Sequence, residues 1–144
     1  MENRVIFNSI RQLVKVYARA ERQYCYASIL EKLPVIREFL EFKAFERMHF
    51  IEELEYSINL DSYKTYEGLC DWHVQVYGRN PLSGPVAPHL EISHLELRAL
   101  ELCAGLLEFK LPEKLERLLW KHVCQIEVCL LSMAYLSALF EKRY

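Results

Sequence analysis

Glycine and proline are scarce, with four and five residues in a chain of 144. An all-β domain needs a turn about every ten residues, and so few turn formers cannot supply them. A basic surplus is also missing. The 18 lysines and arginines are outnumbered by 20 acids, so nothing is left over to neutralise phosphates, and nucleic-acid binding is not expected. No Cys-x-x-Cys pair joins Cys25, Cys70, Cys103, Cys124 and Cys129. An odd cysteine count behind Met1-Glu2-Asn3-Arg4, which lacks a basic start and an apolar run, predicts buried, reduced thiols and a cytoplasmic location. The longest uncharged apolar run, residues 128–140, is short for a membrane span and reads as a core helix, with no membrane partner. Gly-x-Ser-x-Gly, a phosphate-cradling glycine loop and His-Glu-x-x-His are all absent, so nucleophilic and phosphate chemistry lack support.

What is present is helical spacing. Hydrophobic residues make up 52% of the chain, and the length suits one domain, residues 1–144, burying roughly 70% of its unfolded surface. In the first segment Ile6, Ile10, Leu13, Tyr17, Ala20, Tyr24 and Ala27 alternate steps of four and three, which puts them on one helical face over residues 4–31. Arg11, Lys15 and Arg22 lie opposite. The tripeptide Lys-Leu-Pro then occurs at residues 32–34 and again at 110–112, each time between two long helical segments. Two such breaks predict two antiparallel hairpins closing into an all-α four-helix bundle.

The second helix, residues 34–58, carries two overlapping stripes, and both contain charges. One runs Val35, Phe39, Phe42, Glu46, His49, Glu53, Tyr56; the other runs Ile36, Leu40, Lys43, Arg47, Phe50, Leu54. The spacing does not choose which set faces inward. Asp61-Ser62 can cap a short extra helix over residues 63–77, before a proline- and glycine-rich crossover over 78–88. Helix resumes over 90–109, with Ile92, Leu95, Ala99, Leu102, Cys103 and Leu106 inward. The last helix, from after Pro112 to about 142, buries Leu115, Leu119, His122, Ile126, Cys129, Met133 and Phe140. Beyond Glu127 its other face turns apolar through Val128, Leu131, Tyr135 and Leu139, which calls for cover by the short helix or by a second subunit.

Metal-binding bundles of this kind use a Glu on each of two helices and Glu-x-x-His on each of the other two, because the spacing aligns both side chains on one face. Glu46-Arg47-Met48-His49 supplies one such pair. Glu21 stands level with Glu46 across the first break, Glu96 falls in the row Ile92, Glu96, Ala99, Cys103, and His122 centres the last stripe. Glu21, Glu46, His49, Glu96 and His122 are therefore the candidate metal ligands, for iron or another transition metal. Three Glu and two His suit one ion but lack the bridging carboxylate that two would need. Each also has an ordinary reading. Glu46 and His49 can pair with Lys43 or Arg47, Ser93-x-x-Glu96 can be a capping box, His122 can be a hydrogen-bonded core residue, and Glu21 can be a flank residue bonded to a tyrosine hydroxyl or an arginine.

Tyr24 followed by the Leu33-Pro34 break, Arg47 with Phe50 and Leu54, Gly68-Leu69-Cys70-Asp71-Trp72, and Glu96 ahead of Leu111-Pro112 form a pattern over residues 10–133. It resembles the ferritin-like bundle family of uncharacterised bacterial proteins, domain of unknown function 2383. The resemblance implies a ferritin-like four-helix bundle and no established activity. Glu96 sits on a recurrent family position, whereas His49 and His122 depart from the usual residues. The expected function is a non-enzymatic interaction or structural module, with a homodimer through the last helix. The alternative is a metal-binding oxidative or storage protein.

Overall fold

The computed structural model describes residues 2–61 and 88–141. Among them are four α-helices and no strand: α1 (Glu2–Leu30), α2 (Pro34–Asp61), α3 (Pro88–Leu107) and α4 (Glu113–Glu141). The short extra helix expected over 63–77, and all but the last residue of the expected crossover, lie outside the described residues. Pro88 itself opens α3, two residues before the expected start. Proline is well suited there, since a first-turn position has no intrahelical use for its missing N–H. Ser93 is consequently inside the helix, and the capping-box reading of Ser93 and Glu96 does not apply.

The two Lys-Leu-Pro breaks act one residue out of step. At the first, Pro34 is already helical and the Leu33 carbonyl accepts from Arg37 N–H at 2.9 Å. Glu31 turns its carboxylate back to accept from the N–H groups of Lys32 and Leu33, both at 3.2 Å, covering donors that the reversal leaves without helical partners. At the second, Pro112 stays outside, and its own carbonyl takes the first helical bond, from Glu116 N–H at 3.0 Å.

Packing arranges the four helices as a ring. α1 lies against α2 and α3, and α4 lies against the same two, so α1–α4 and α2–α3 are the diagonals. Tyr17 meets Phe50 while Tyr24 meets Arg47, so α1 and α2 run in opposite directions. Tyr17 bonds His122 and Tyr24 bonds Cys129, each pair 105 residues apart, so α1 and α4 run in the same direction. The short break before α4 reverses α3 relative to it, which leaves α3 running with α2. The end of α2 and the start of α3 therefore lie at opposite ends of the ring.

The interior has two parts. The larger is aliphatic, centred on Leu13, Leu54, Leu106, Leu119 and Ile126, each with no exposed surface. The smaller is lined by Ala20, Ala27, Ala44 and Cys129 beside Tyr24, Leu40 and Ile92. On α2 the stripe of Leu40, Lys43, Arg47, Phe50 and Leu54 is the buried one. Phe42, Met48, His49 and Tyr56 face solvent.

Candidate functional site

Both diagonals of the ring are closed by polar side chains. Across α2–α3, the Arg47 guanidinium forks onto the Glu96 carboxylate, with Nε donating to Oε1 at 2.9 Å and the second arm bonding Oε2. Neither residue has exposed surface. A lone buried charge would be very costly, and the two-point fit satisfies both oxygens while cancelling the charge. The remaining Arg47 nitrogen donates to Glu46 at 2.9 Å, and Lys43 approaches the same Glu46 oxygen at 3.4 Å. Burial alone would lower the Arg47 pKa, but the hydrogen bonds and charge of Glu96 outweigh it and raise the value.

Across α1–α4, a chain of polar contacts leads outward. His122 is fully buried, and burial drives its imidazole down to about 4 against the opposing pull of Glu53, so it is neutral at pH 7. Its Nε2 lies 3.4 Å from the Glu53 carboxylate, which can only accept, so Nε2 carries the proton. Its Nδ1 must then accept, and the Tyr17 hydroxyl donates to it at 3.1 Å. The Cys103 thiol can donate to Tyr17 in turn, at 3.6 Å. Lys121 closes the outer end on Glu53 at 2.8 Å. Burial raises the Glu53 pKa, but the Lys121 and His122 contacts prevail and hold the carboxyl below its ordinary range.

Phe50 links the two diagonals. One face stacks on His122 at 3.9 Å between ring centroids, and the Arg47 guanidinium sits 4.6 Å from the Phe50 centroid. Such cation–ring contacts strengthen where water is excluded. Tyr24 is a further buried polar group, its hydroxyl 3.1 Å from Cys129 Sγ. Burial raises both tyrosines and both thiols, Cys103 to about 11, so these groups stay protonated and unreactive at neutral pH.

The five candidate ligands are not gathered together. Glu46 and Glu96 meet through Arg47, which sits between them with its own positive charge. His122 faces Tyr17 and Glu53 on the far side of Phe50. His49 is outward, with 56% of its side chain exposed, near Glu52 at 3.7 Å. Glu21 is half-buried, its pKa raised by burial against the opposing charge of Arg22, with a long 3.9 Å contact from Cys25. Among the described residues, no group of three or more His, Cys, Asp or Glu could hold a metal ion. As they stand, these side chains do not fit a metal centre: the carboxylate at the middle is already neutralised by a guanidinium.

Arg47, Tyr17, Glu53 and Lys121 were not among the candidates. A signal for the first existed. Arg47 is a cation on the stripe Leu40, Phe50, Leu54, and Glu96 is an anion on the row Ile92, Ala99, Cys103. Opposite charges stranded on two apolar stripes are expected to find each other. No protein-family model, curated protein or solved structure matches this chain.

Proposed function

We propose that this chain is a non-enzymatic protein-contact bundle of ferritin-like ancestry that pairs with a second copy of itself through α4. The observation that carries the reading is the outer face of that helix. Trp120, Val128, Leu131, Tyr135 and Leu139 follow one another at steps of three, four and eight, and Leu131 and Tyr135 are 71% and 65% exposed. Single exposed apolar residues are common, but a continuous seam along one helix is how helices bind other helices. From Val128 to Leu139 the helix holds no Asp, Glu, Lys or Arg, and the exposed Glu127 borders that stretch, so two copies related by a two-fold axis can lay the uncharged half against itself.

Ferritin-like ancestry is supported by the direction of the helices, since α2 and α3 run together and need one long connection between them, as in that class of bundle. By length and composition α4 is also, among the described residues, the one helix apolar enough to cross a membrane. Its His122 and Lys121 are nevertheless tied to α1 and α2, which favours a helix docked on its neighbours.

Light scattering across a concentration series tests the pairing. The expected result is a dimer that becomes a monomer in Leu131→Glu with Tyr135→Glu, two exposed positions whose change leaves the interior intact. A strict monomer at high concentration ends the proposal. Metal analysis of the purified protein tests the alternative: stoichiometric metal that is retained by the native chain and lost in Glu96→Gln would favour the metal-binding reading.

A further inference from the structure

At the end of the ring away from α4's apolar half, a cavity of about 470 Å³ opens between the start of α1, the end of α2 and the turn into α4. Its walls include Ile6, Ile10, Ile58, Leu111 and Leu115. Four of these, all but Ile6, belong to the buried aliphatic core, so the cavity is an opening into the interior itself. Two cations, Arg4 and Lys110, stand in the same lining, one from each side of the mouth's chain segments, and among the described residues it contains no carboxylate. Both are exposed, and neither has an ion-pair partner among the described residues. In this chain that is unusual company, because the acids outnumber the bases.

The starts of α1 and α4 bring positive helix-dipole ends to the cavity, but the last turn of α2 at Ile58 brings a negative one, so the dipoles offset and Arg4 and Lys110 carry the charge. A volume in the range of about 300–1,000 Å³, apolar walls and a few fixed polar groups describe a small-molecule site. The charge pattern selects the molecule. An apolar ligand would leave both cations idle, and a polyanion would have to desolvate against aliphatic walls. We infer that this cavity binds a medium-chain monocarboxylate, with the alkyl chain against Ile10, Ile58 and Leu115 and the carboxylate held between Arg4 and Lys110. The inference is independent of pairing through α4, which uses a different surface.

Titration calorimetry with dodecanoate below its micelle concentration tests this, with dodecyltrimethylammonium and dodecanol as chains of the same length and different head. Saturable one-to-one binding of dodecanoate is expected, with both controls at least about tenfold weaker, the discrimination that one charge-assisted hydrogen bond supplies. Lys110→Glu and Arg4→Glu, each at an exposed position, should weaken dodecanoate by a similar factor and leave the helical circular dichroism unchanged. Ile6→Trp, at a half-buried wall, should abolish binding by filling the space. If that variant fails to fold, the two charge reversals decide alone. Equal affinity for the cationic amphiphile, affinity unchanged by Lys110→Glu, or attachment to anionic phospholipid vesicles without any response to dodecanoate would each overturn the assignment.

Discussion

The two halves of the interior are built on opposite principles. One is packed with Leu13, Leu54, Leu106, Leu119 and Ile126, residues that fill space and ask for nothing but contact. The other is lined by alanines at 20, 27 and 44 beside Tyr24, whose ring centroid lies 5.9 Å from the Arg47 guanidinium that forks onto Glu96. Aliphatic burial contributes most of the free energy of folding, about 25 cal/mol per Å², and tolerates exchange of similar shapes. A buried ion pair contributes little net stability, since desolvation opposes the attraction, but it penalises every arrangement in which the charges do not meet. The aliphatic half therefore holds the helices together. The polar half fixes which diagonal partner each one faces and at what height.

That contrast predicts its largest effect at the pair. Arg47→Ala leaves the Glu96 carboxylate uncompensated with no exposed surface and should destabilise the fold by about 3–5 kcal/mol, measured by urea unfolding at pH 7, whereas Glu96→Ala leaves Arg47 its Glu46 contact and should cost less. Replacing both at once, Arg47→Met with Glu96→Leu, should recover most of that loss. A double variant as unstable as Arg47→Ala would show that the pair contributes directly to stability. The matching change in the aliphatic half, Leu119→Ala, should cost about 2–5 kcal/mol through lost contacts and a residual cavity. No second substitution of charge can restore it.

The sequence was most legible where only one period was possible. On α1 the predicted stripe from Ile10 to Ala27 is buried, as are Ile92, Ala99, Leu102, Cys103 and Leu106 on α3. Helix ends fell within a few residues because proline fixes them chemically. α2 was harder. Its two stripes overlap, and a stripe holding Lys43 and Arg47 is no more apolar than one holding Glu46 and Glu53. The choice is made by what faces α2 across the ring, since Glu96 needs a cation and only the Arg47 face provides one. Such tertiary complementarity is invisible within a single helix. His122 was placed on the buried face by its spacing, but its partners Tyr17 and Glu53 lie on other helices at distances that periodicity does not encode.

Acid should act on the α1–α4 diagonal. His122 has a folded pKa of about 4 against about 6.5 when unfolded, so between those values the unfolded chain binds more protons. Stability contributed by the neutral imidazole is full above pH 6.5 and is lost as pH falls toward 4, by up to about 3 kcal/mol. Glu53, whose pKa is lowered, adds loss in the same direction when it is finally protonated. Unfolding measured at pH 7 and pH 4.5 in the native chain and in His122→Gln isolates the imidazole. The variant should lose about 1–3 kcal/mol less over that interval, the part of the linkage that the imidazole supplies. Equal losses would mean that His122 takes up its proton in the fold as readily as in the unfolded chain, so that burial does not hold the imidazole neutral.

The smallest effect separates contact from charge within the polar half itself. Tyr24 fills space between α1 and α4 and also places its hydroxyl 3.1 Å from Cys129 Sγ. Sulfur is a weak partner, and both groups are neutral because burial raises their pKa values. Tyr24→Phe keeps the ring against Arg47, 5.9 Å from its centroid, and removes only the hydroxyl, so the loss should be about 0.5–1.5 kcal/mol. Tyr24→Ala removes the ring too and should cost about 3–5 kcal/mol, as for other large aromatic truncations. If the phenylalanine variant proved as damaging as the alanine one, the thiol–hydroxyl contact would be an essential part of the network around Arg47. The expected wide gap instead makes Tyr24 a packing residue that happens to carry a polar tip, and leaves the fork between Arg47 and Glu96 as what sets the helices in register.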